Sequence, residues 1–222
     1  MAGKILARSG RVAIRRFRRR DVRERMQWPP YADPVLEHLN YRLSTLLERE
    51  RWILTRLTNA GRMYFAVEDE NGSLIGETSL REIDPRARTS RLGIHLASDK
   101  RGMGYGREAM EALLDYYFND MRYEVMFLDV AAHNTRALKL YESLQFEHLG
   151  PFWRIERRNL PVFSDERFAD IRKHFRVRGG TVECKFHDMR LARGDYLRRT
   201  QGAAKSAEEP ECYSAKHESD GD

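Results

Sequence analysis

The sequence predicts one α/β domain, with a mixed and mostly antiparallel sheet of about seven strands flanked by helices. Strand-like and helix-like segments follow one another in the order β-αα-βββ-α-β-α-β-β. Asn71-Gly72 lies between two strand-like runs, which indicates a two-residue hairpin turn. A chain of 222 residues is long enough for one well-buried core and too short for two typical domains.

Each predicted element depends on a local pattern. Strands are predicted where β-branched and aromatic residues cluster or alternate, and helices where apolar residues recur every three or four positions. The expected strands lie at 12–14, 64–67, 74–80, 91–96, 125–130, 146–156 and 181–192. The expected helices lie at 21–28, within 34–57, after residue 106, after residue 134 and after residue 164. Pro29-Pro30 ends the first helix, because proline lacks the amide hydrogen that a helix interior needs.

The charge is unevenly distributed along the chain. The formal net charge is +6, but residues 202–222 hold six acids against two lysines, so residues 1–201 sum to +10. A basic body can attract nucleic acid, an acidic protein surface or a phosphate-bearing cofactor, although solvated arginines explain most of these charges. Nucleic acid is therefore not expected as a partner. The acidic tail over residues 201–222 is expected to be disordered.

Cysteine content and apolar runs indicate the compartment. Cys184 and Cys212 are too few for a disulfide framework. No apolar run approaches the length of a membrane span, and the arginines near the N-terminus are not followed by the apolar stretch of a secretory signal. We therefore expect a protein of the reducing cytoplasm without a membrane partner.

The most informative stretch is Arg101-Gly102-Met103-Gly104-Tyr105-Gly106, which joins the strand at 91–96 to the next helix. Its alternate glycines let the backbone pass close to a ligand and leave the first amides of the helix exposed. Those amides and the positive end of the helix dipole form a site for phosphate groups. A Walker loop is excluded because no Gly-Lys-Ser/Thr closes the stretch, and a Rossmann fingerprint is excluded because its third glycine would fall at Arg107.

A second motif follows about thirty residues later. Asn134 lies at the expected N-cap of a helix, on which Ala137, Tyr141 and Leu144 share one face. Arg-x-x-Gly-x-Gly followed at this distance by Asn-x-Arg-Ala-x-x-x-Tyr resembles the GNAT superfamily of acyl-CoA-dependent N-acetyltransferases.

Neighbouring segments resemble one branch of that superfamily more closely. Leu74 to Arg81 and Met189-Arg190-Leu191 look like the ribosomal-protein-alanine and spermidine acetyltransferase group, and the resemblance spans roughly residues 10 to 197. We therefore expect an N-terminal extension over residues 1–10, a GNAT domain over 11–200 and the tail beyond it.

The resemblance implies acetyl-CoA as a co-substrate, no metal, and direct transfer of the acetyl group to a primary amine within a ternary complex. In that family a backbone amide of the glycine-bearing strand polarises the thioester carbonyl, and the matching positions are His95, Leu96 and Ala97. Tyr141 matches the proton donor to the leaving thiolate, a role that suits a phenol protonated at neutral pH. The implied cofactor-binding residues are Leu96, Ala97, Arg101, Gly102, Met103, Gly104, Tyr105, Gly106, Asn134 and Arg136.

The general base stays open at this stage. Many relatives carry a glutamate two residues before the strand glycine, where this chain has Arg91. His95 shares a strand face with Arg91 and is a candidate base with a pKa in the useful range, or else a satisfied structural histidine. Glu77 on the preceding strand is the alternative, and water suffices for an amine of low pKa. A second departure is Gln145, where the family usually has glycine before phenylalanine.

Residues 157–178 form an inserted helical segment that is longer than this branch usually allows. Ser164 can cap a helix on which Phe168, Ile171 and Phe175 form an apolar stripe. The segment is either a surface insertion that packs on its own domain or on a partner subunit, or a cover over the acceptor amine.

The sequence thus predicts a cytoplasmic acetyl-CoA-dependent N-acetyltransferase whose acceptor is a protein N-terminus, a polyamine or a small amine. The alternative from another class is a non-catalytic acyl-CoA-binding or RNA-associated module. Tyr141 favours the enzyme, whereas Arg91 in place of an acid keeps the alternative open. The sequence does not identify the acceptor or fix the oligomeric state, for which a homodimer is one option.

Overall fold

The computed structural model describes residues 4–40, 43, 45–59, 61–158 and 160–208, with side chains up to Gln201. The strands are β1 (Ile5–Ser9), β2 (Val12–Arg16), β3 (Arg62–Glu68), β4 (Leu74–Asp84), β5 (Thr89–Leu96), β6 (Val125–Ala131), β7 (Glu147–Ile155), β8 (Phe175–Arg178) and β9 (Thr181–Ala192). The α-helices are α1 (Asp21–Arg25), α2 (Leu46–Thr58), α3 (Tyr105–Asp115), α4 (Thr135–Ser143) and α5 (Arg193–Glu208). Short 3₁₀ segments lie at Glu37–Leu39, Ser98–Lys100 and Glu166–His174, and a π-helical turn at Tyr116–Asp120 extends α3.

All the strands belong to one mixed sheet in the order β1-β2-β3-β4-β5-β6-β9-β7, with β8 paired to the first part of β9. The β5–β6 pair is parallel, and the other pairs formed by described residues are antiparallel. The predicted fold class is confirmed, but the described residues form nine strands of the sheet where about seven were expected. The two unpredicted strands, β1 and β8, are short, and both lie in segments expected to be an extension or a helical insertion.

The predicted hairpin joins β3 to β4, but its loop is longer than two residues. It runs from Asp69 to Ser73, and the Asp69 carboxylate accepts from the amides of Asn71 at 3.0 Å and Ser73 at 2.9 Å. Gly72 adopts a left-handed φ of +75°, which closes the turn. The two hydrogen bonds that the Asp69 carboxylate accepts thus stabilise the longer loop.

Helices cover both faces of the sheet. On one face α3 and α4 pack over the central strands, and Met110, Leu113, Leu128, Leu144 and Met189 are buried there. On the other face α1 and α2 cover only β3 and β4, through a smaller cluster that includes Phe17, Val22 and Ile53. On that face of β9, Cys184 is buried against Phe168 and Phe175 in a separate small cluster.

The C-terminal boundary differs in detail from the expected one. Helix α5 continues to Glu208, so the expected domain end at residue 200 falls within a helix. Residues 209–222, which include Cys212 and most of the expected acidic tail, lie outside the described residues. Across the described residues, no helix is long and apolar enough to cross a membrane.

A wedge opens in the middle of the sheet. Strands β5 and β6 pair from Thr89–Leu92 to Val125–Leu128 and then separate. Beyond that point β5 continues along β4, whereas β6 continues along β9 to Ala131. The wedge therefore begins at Gly93 on β5 and Asp129 on β6. In the described part of the chain, the backbone amides and carbonyls along its two edges form no hydrogen bonds to a neighbouring strand.

Candidate active site

A cavity of about 290 Å³ lies at the open end of the wedge. It brings together β5, the glycine-rich loop and α4, as both sequence motifs predict. The predicted site residues that line it are His95, Leu96, Arg101, Gly102, Gly104, Gly106, Asn134, Arg136 and Tyr141. The backbone of β5 and the N-termini of α3 and α4 thus meet around this cavity.

Four predicted site residues do not line this cavity. Ala97 is the clearest correction, because its amide donates to the Ile75 carbonyl at 2.8 Å and is not available to a ligand. Strand alternation points the amide of the preceding residue, Leu96, toward the wedge. The side chain of Met103 is exposed, that of Tyr105 is buried, and Glu77 lies behind His95.

The glycine-rich loop has the backbone conformation that its composition predicts. Gly102 and Gly104 have φ values of +83° and +91°, a region that residues with a side chain rarely adopt. Gly104 is the N-cap of α3, and no side chain caps that helix. The first amides of α3 are thus left for a ligand, which is the arrangement that binds phosphate.

Arg11, in the β1–β2 turn, holds this loop in place. Its Nη2 donates to the Met103 carbonyl at 2.9 Å, and its Nε donates to the Glu108 carboxylate at 3.0 Å. The guanidinium also lies 4.2 Å from the centre of the Tyr105 ring. The sequence did not indicate this role, because Arg11 and the loop are remote in the chain.

Helix α4 begins and packs as predicted. The Asn134 side chain accepts from the Ala137 amide at 3.3 Å, so Asn134 is the N-cap. Tyr141 and Leu144 are buried against the sheet, and the Tyr141 ring lies 5.8 Å from that of Phe146. Burial raises the pKa of Tyr141, and the charge of Asp129 acts in the same direction. The phenol is thus protonated over the whole physiological range.

His95 and Glu77 face each other across β5 and β4. The His95 Nε2 lies 3.2 Å from Glu77 Oε1, but neither Nε2 nor Glu77 Oε2 has a hydrogen-bond partner in the part of the chain that the structure describes. Glu77 Oε1 accepts from Arg56 Nη2 at 2.8 Å. Two buried polar atoms are therefore left without a partner here, and one of them belongs to His95, which lines the smaller cavity.

The pKa values of this pair differ from the expected ones. Burial lowers the pKa of His95 to about 4, against the opposing charge of Glu77 and with help from Arg25 and Arg56. Burial alone would raise the pKa of Glu77, but His95 and Arg56 hold it below its usual value. The expectation of a histidine pKa in the range of a neutral-pH base is therefore wrong, because the imidazole is buried beside cations.

A comparison with known proteins shows which family the chain belongs to. The acetyltransferase (GNAT) domain model matches residues 11–147, more than half of the chain. The chain belongs to the GNAT acetyltransferase family.

Two curated relatives are similar to parts of this GNAT chain. A spermidine N(1)-acetyltransferase from Vibrio cholerae is 31% identical over 111 residues, which cover 50% of this chain and 61% of that relative. An uncharacterized N-acetyltransferase, p20, from Bacillus licheniformis is 25% identical over 147 residues, or 63% of this chain and 81% of the relative.

Solved structures support the fold. A chimeric spermidine N-acetyltransferase from Vibrio cholerae superposes with a TM-score of 0.63 at 23% identity, over 86% of this chain and 100% of the other. A dodecameric spermidine N-acetyltransferase from the same organism gives a TM-score of 0.60 at 22% identity, over 86% and 98% of the two chains. At this identity the likeness shows the fold alone.

A second cavity of this GNAT domain has a volume of about 1,250 Å³. It shares Arg101, Asn134 and Arg136 with the smaller cavity, so the two spaces are adjacent. Its walls also include the segment after α1, the end of β7, part of β9 and the 3₁₀ segment at Glu166–His174. Sequence reasoning missed most of these residues, because they meet only through tertiary packing.

His133 and Cys184 lie in the wall of the larger cavity and were not predicted as site residues. The Cys184 sulfur is 3.7 Å from His133 Nδ1, and the His133 ring stacks on Phe175 at 5.6 Å. Burial lowers the pKa of His133 to about 4 and raises that of Cys184 to about 11. Both groups are therefore neutral at physiological pH and do not form an activated thiolate pair.

Arg91, which stands where many relatives have an acid, is part of an ion network at the start of the wedge. It donates to Asp188 at 2.5 Å and to Glu82 at 3.0 Å. Asp129 accepts from Arg81 and from Arg154, the latter at 2.8 Å. Burial would raise the pKa of Asp129, but these arginines lower it. Arg91 therefore links β5 to β4 and β9 where β5 and β6 separate.

The inserted segment packs on its own sheet. Phe168 and Phe175 are buried against Val35 and Cys184, and Ile171 lies at the edge of this cluster. The segment forms a 3₁₀ helix followed by β8, and its N-cap is Asp165 in place of the predicted Ser164. Asp165 accepts from the Arg167 amide at 2.9 Å. In the part of the chain that the structure describes, no group of three or more His, Cys, Asp or Glu is placed to hold a metal ion.

Proposed function

We propose that this chain transfers the acetyl group of acetyl-CoA to a primary amine by direct attack within a ternary complex. The observation that carries the proposal is the wedge, which connects the uncapped N-terminus of α3 to Tyr141 on one side and to the larger cavity on the other. A thioester arm that follows the β5 edge has its pyrophosphate at the loop amides and its carbonyl near the amide of Leu96.

In this proposal, different residues around the wedge carry out different steps of the acetyl transfer. The amine nitrogen attacks the carbonyl carbon, the carbon–sulfur bond breaks, and the departing thiolate takes a proton from Tyr141. The amine loses a proton in the same reaction. Under this proposal the His95 imidazole accepts that proton, and Glu77 Oε1 lies 3.2 Å from its Nε2. A base of such low pKa suits the tetrahedral adduct, whose ammonium is far more acidic than that of the free amine.

The acceptor enters from the larger cavity under this proposal. The curated relative from Vibrio cholerae is a spermidine acetyltransferase, so polyamines are one acceptor class to test, beside protein N-termini and small amines. A cytoplasmic location, favoured by the low cysteine content, forms part of the same proposal.

Coenzyme A should raise the melting temperature of the chain. A ligand at a hundred times its Kd stabilises the native state by about 2.7 kcal/mol, which corresponds to about 5–10 °C for a domain of this size. Gly104→Asp should abolish the shift, because it places a carboxylate at the phosphate site and a Cβ 3.2 Å from Arg11 Nη2. Thermal unfolding with and without coenzyme A measures both effects.

Gly72→Asp is the matched control. Gly72 has a similar φ of +75°, but a Cβ there meets nothing within 4 Å. This variant should keep the full shift with coenzyme A, whatever it loses in stability. An equal shift in Gly104→Asp would overturn the assignment of the loop. A shift in the unmodified protein without thiol release from acetyl-CoA for any amine would favour the non-catalytic acyl-CoA-binding module.

A further inference from the structure

The segment after α1, residues 29–40, contacts the end of β5 and reaches the larger cavity. Ser98 Oγ, just after β5, donates to the Pro29 carbonyl at 2.9 Å. Farther along the segment, Asp33 to Leu36 line the larger cavity. Tyr31 lies between these two contacts in the chain, and its side chain reaches the last residue of β5.

Tyr31 is held firmly in this segment. Its amide donates to Asn40 Oδ1 at 2.7 Å, and Asn40 Nδ2 donates to the Tyr31 carbonyl at 3.0 Å. The residue is only 5% exposed, and the Arg101 guanidinium lies 5.8 Å from the centre of its ring. Burial raises the pKa of Tyr31, so the phenol is protonated at neutral pH. The hydroxyl is therefore a donor in a fixed position.

This hydroxyl donates to the carbonyl of Leu96, which faces the wedge. The Ala97 amide bonds to the Ile75 carbonyl of β4 at 2.8 Å. Strand alternation therefore turns both the amide and the carbonyl of Leu96 away from β4. In the described chain Tyr31 lines neither cavity, whereas Leu96 lines the smaller one. Any effect of Tyr31 on a bound thioester therefore passes through Leu96.

The two polar groups of Leu96 have opposite effects on the proposed reaction. The thioester oxygen gains negative charge as the amine attacks, and the Leu96 amide stabilises that charge. The Leu96 carbonyl oxygen carries negative partial charge on the same side of the strand and opposes it. A hydrogen bond from Tyr31 offsets part of the charge on this carbonyl and fixes the direction of the peptide. A donor oriented in advance needs no reorganisation during the reaction.

We infer that Tyr31 is a positioning residue for acetyl transfer, which holds Leu96 so that its amide, and not its carbonyl, meets the thioester oxygen. This inference rests on the proposed function, because it adds a residue to the same site. The sequence did not indicate this role, because Tyr31 lies 65 residues before Leu96 and outside both motifs.

Tyr31→Phe should lower kcat by about tenfold. This loss is smaller than the roughly 10²–10³-fold cost of removing a direct oxyanion donor, because Tyr31 acts through Leu96. The KM for acetyl-CoA and the thermal shift with coenzyme A should stay the same, since the charge that the hydrogen bond serves develops only in the transition state. Thiol release is measured with spermidine, with an amidated peptide that begins with alanine, and with propylamine, at a temperature well below the melting temperature of each variant.

Tyr117→Phe is the matched control. Tyr117 is also buried, and its hydroxyl donates to a strand carbonyl, that of Val125, at 2.8 Å. Val125 begins β6 at the end remote from the wedge. The control should lose stability and keep its kcat. An equal loss of kcat in Tyr117→Phe and Tyr31→Phe would overturn the specific role of Tyr31.

A difluorotyrosine at position 31 tests the donated proton while the ring and the hydroxyl are kept. Fluorine lowers the pKa of a phenol, so this side chain loses its proton at a pH where Tyr31 keeps it. The kcat of this variant should fall with rising pH through a step that the unmodified protein lacks, while the thermal shift with coenzyme A persists over the same range. This variant gives the answer even if Tyr31→Phe does not fold, and identical pH profiles would overturn the inference.

The outcomes separate this inference from the proposed function. Unchanged kcat in Tyr31→Phe would overturn the inference and leave acetyl transfer standing. Loss of the thermal shift with coenzyme A in Tyr31→Phe would assign the residue to cofactor binding and would also overturn the inference. Absence of thiol release from the unmodified protein with every acceptor, despite that shift, would overturn the proposed function and this inference together.

Discussion

Burial gives single residues of this site properties that their sequence neighbours do not reveal. Tyr141 is predicted correctly as a residue on the packed face of α4, but its raised pKa follows from the surrounding core and from Asp129. The same burial that keeps the phenol protonated also places it in the wall of the smaller cavity. Under the proposed function, a structural and a chemical role therefore coincide in one side chain.

Tyr141→Phe should lower turnover about ten- to a thousandfold, because it removes the proton donor to the thiolate and keeps the ring. The affinity for coenzyme A should change little. Steady-state thiol release and thermal shift measure the two quantities. Tyr123→Phe is the control, since that ring packs 4.9 Å from Tyr117 outside the cavity. Unchanged turnover in Tyr141→Phe would mean that water or another group protonates the thiolate.

His95 should make the stability of the protein depend on pH. The pKa of its imidazole is about 6.5 in an unfolded chain and about 4 in the folded one. Between these values the unfolded chain binds a proton that the folded chain does not, so the free energy of unfolding falls as pH decreases from 6.5 to 4. The slope for one such group approaches about 1.4 kcal/mol per pH unit, and His133 adds a similar contribution.

His95→Asn should remove one part of this slope, which denaturant unfolding between pH 4 and 7 would show. A slope that is identical in His95→Asn and in the unmodified protein would show that the imidazole is solvated.

At the scale of elements, a helix with its own capping residue and apolar face is predictable from the sequence, whereas a short strand is not. The helix after Asn134 follows from a cap and an apolar face, both of which are local. Strand β8 has four residues and is a strand because β9 pairs with it, so no local pattern predicts it. Asp165 replaces Ser164 as a cap for a related reason, since either residue can cap and the packing of Phe168 decides between them.

The site shows the same division between local and remote information. Of the thirteen described residues that line the smaller cavity, nine were predicted as site residues, and they lie on β5, in the glycine-rich loop and on α4. Arg11, Arg154 and His133 act through partners far away in the chain, and their roles appear only in three dimensions. Sequence patterns thus locate the cofactor side better than the acceptor side.

Gln145 ends α4 in a conformation that favours glycine. Its φ is +66°, and its amide and that of Phe146 donate to the Glu142 and Tyr141 carbonyls at 2.9 and 3.0 Å. Gln145→Gly should stabilise the protein by about 0.5–1 kcal/mol, because relief of the left-handed strain exceeds the added freedom of the unfolded chain. Gln145→Ala, which keeps the Cβ, should give no gain in chemical denaturation. A loss of stability in the glycine variant would contradict this account.

At the scale of the molecule, the two sides of the wedge are built differently. The cofactor side consists of α3, α4 and the loop, packed in the main core of the sheet. The proposed acceptor side, the larger cavity, is bounded by the segment after α1, the end of β7 and the inserted segment. The segment after α1 and the inserted segment share with β9 a separate small cluster around Phe168. The acceptor side can therefore change with little effect on the cofactor side.

The inserted segment should act as a wall of the acceptor site. Excision of residues 160–178 in favour of a short Gly-Ser turn should leave the thermal shift with coenzyme A intact, because no residue of the segment lines the smaller cavity. It should change the KM or range of acceptors, because Arg167, Asp170 and Ile171 line the larger one. It should also lower stability, since it removes the buried rings of Phe168 and Phe175.

A single substitution separates the effect on the acceptor site from the effect on stability. Ile171→Ser alters the surface of the cavity at a half-buried position and should raise the KM for the acceptor severalfold with little change in melting temperature. Val177→Ser, at a position 60% exposed on β8 and outside the cavity, should change neither quantity. If Ile171→Ser leaves acceptor kinetics unchanged and the excision alters only the oligomeric state in light scattering, the segment is an interface between subunits and does not bound the acceptor site.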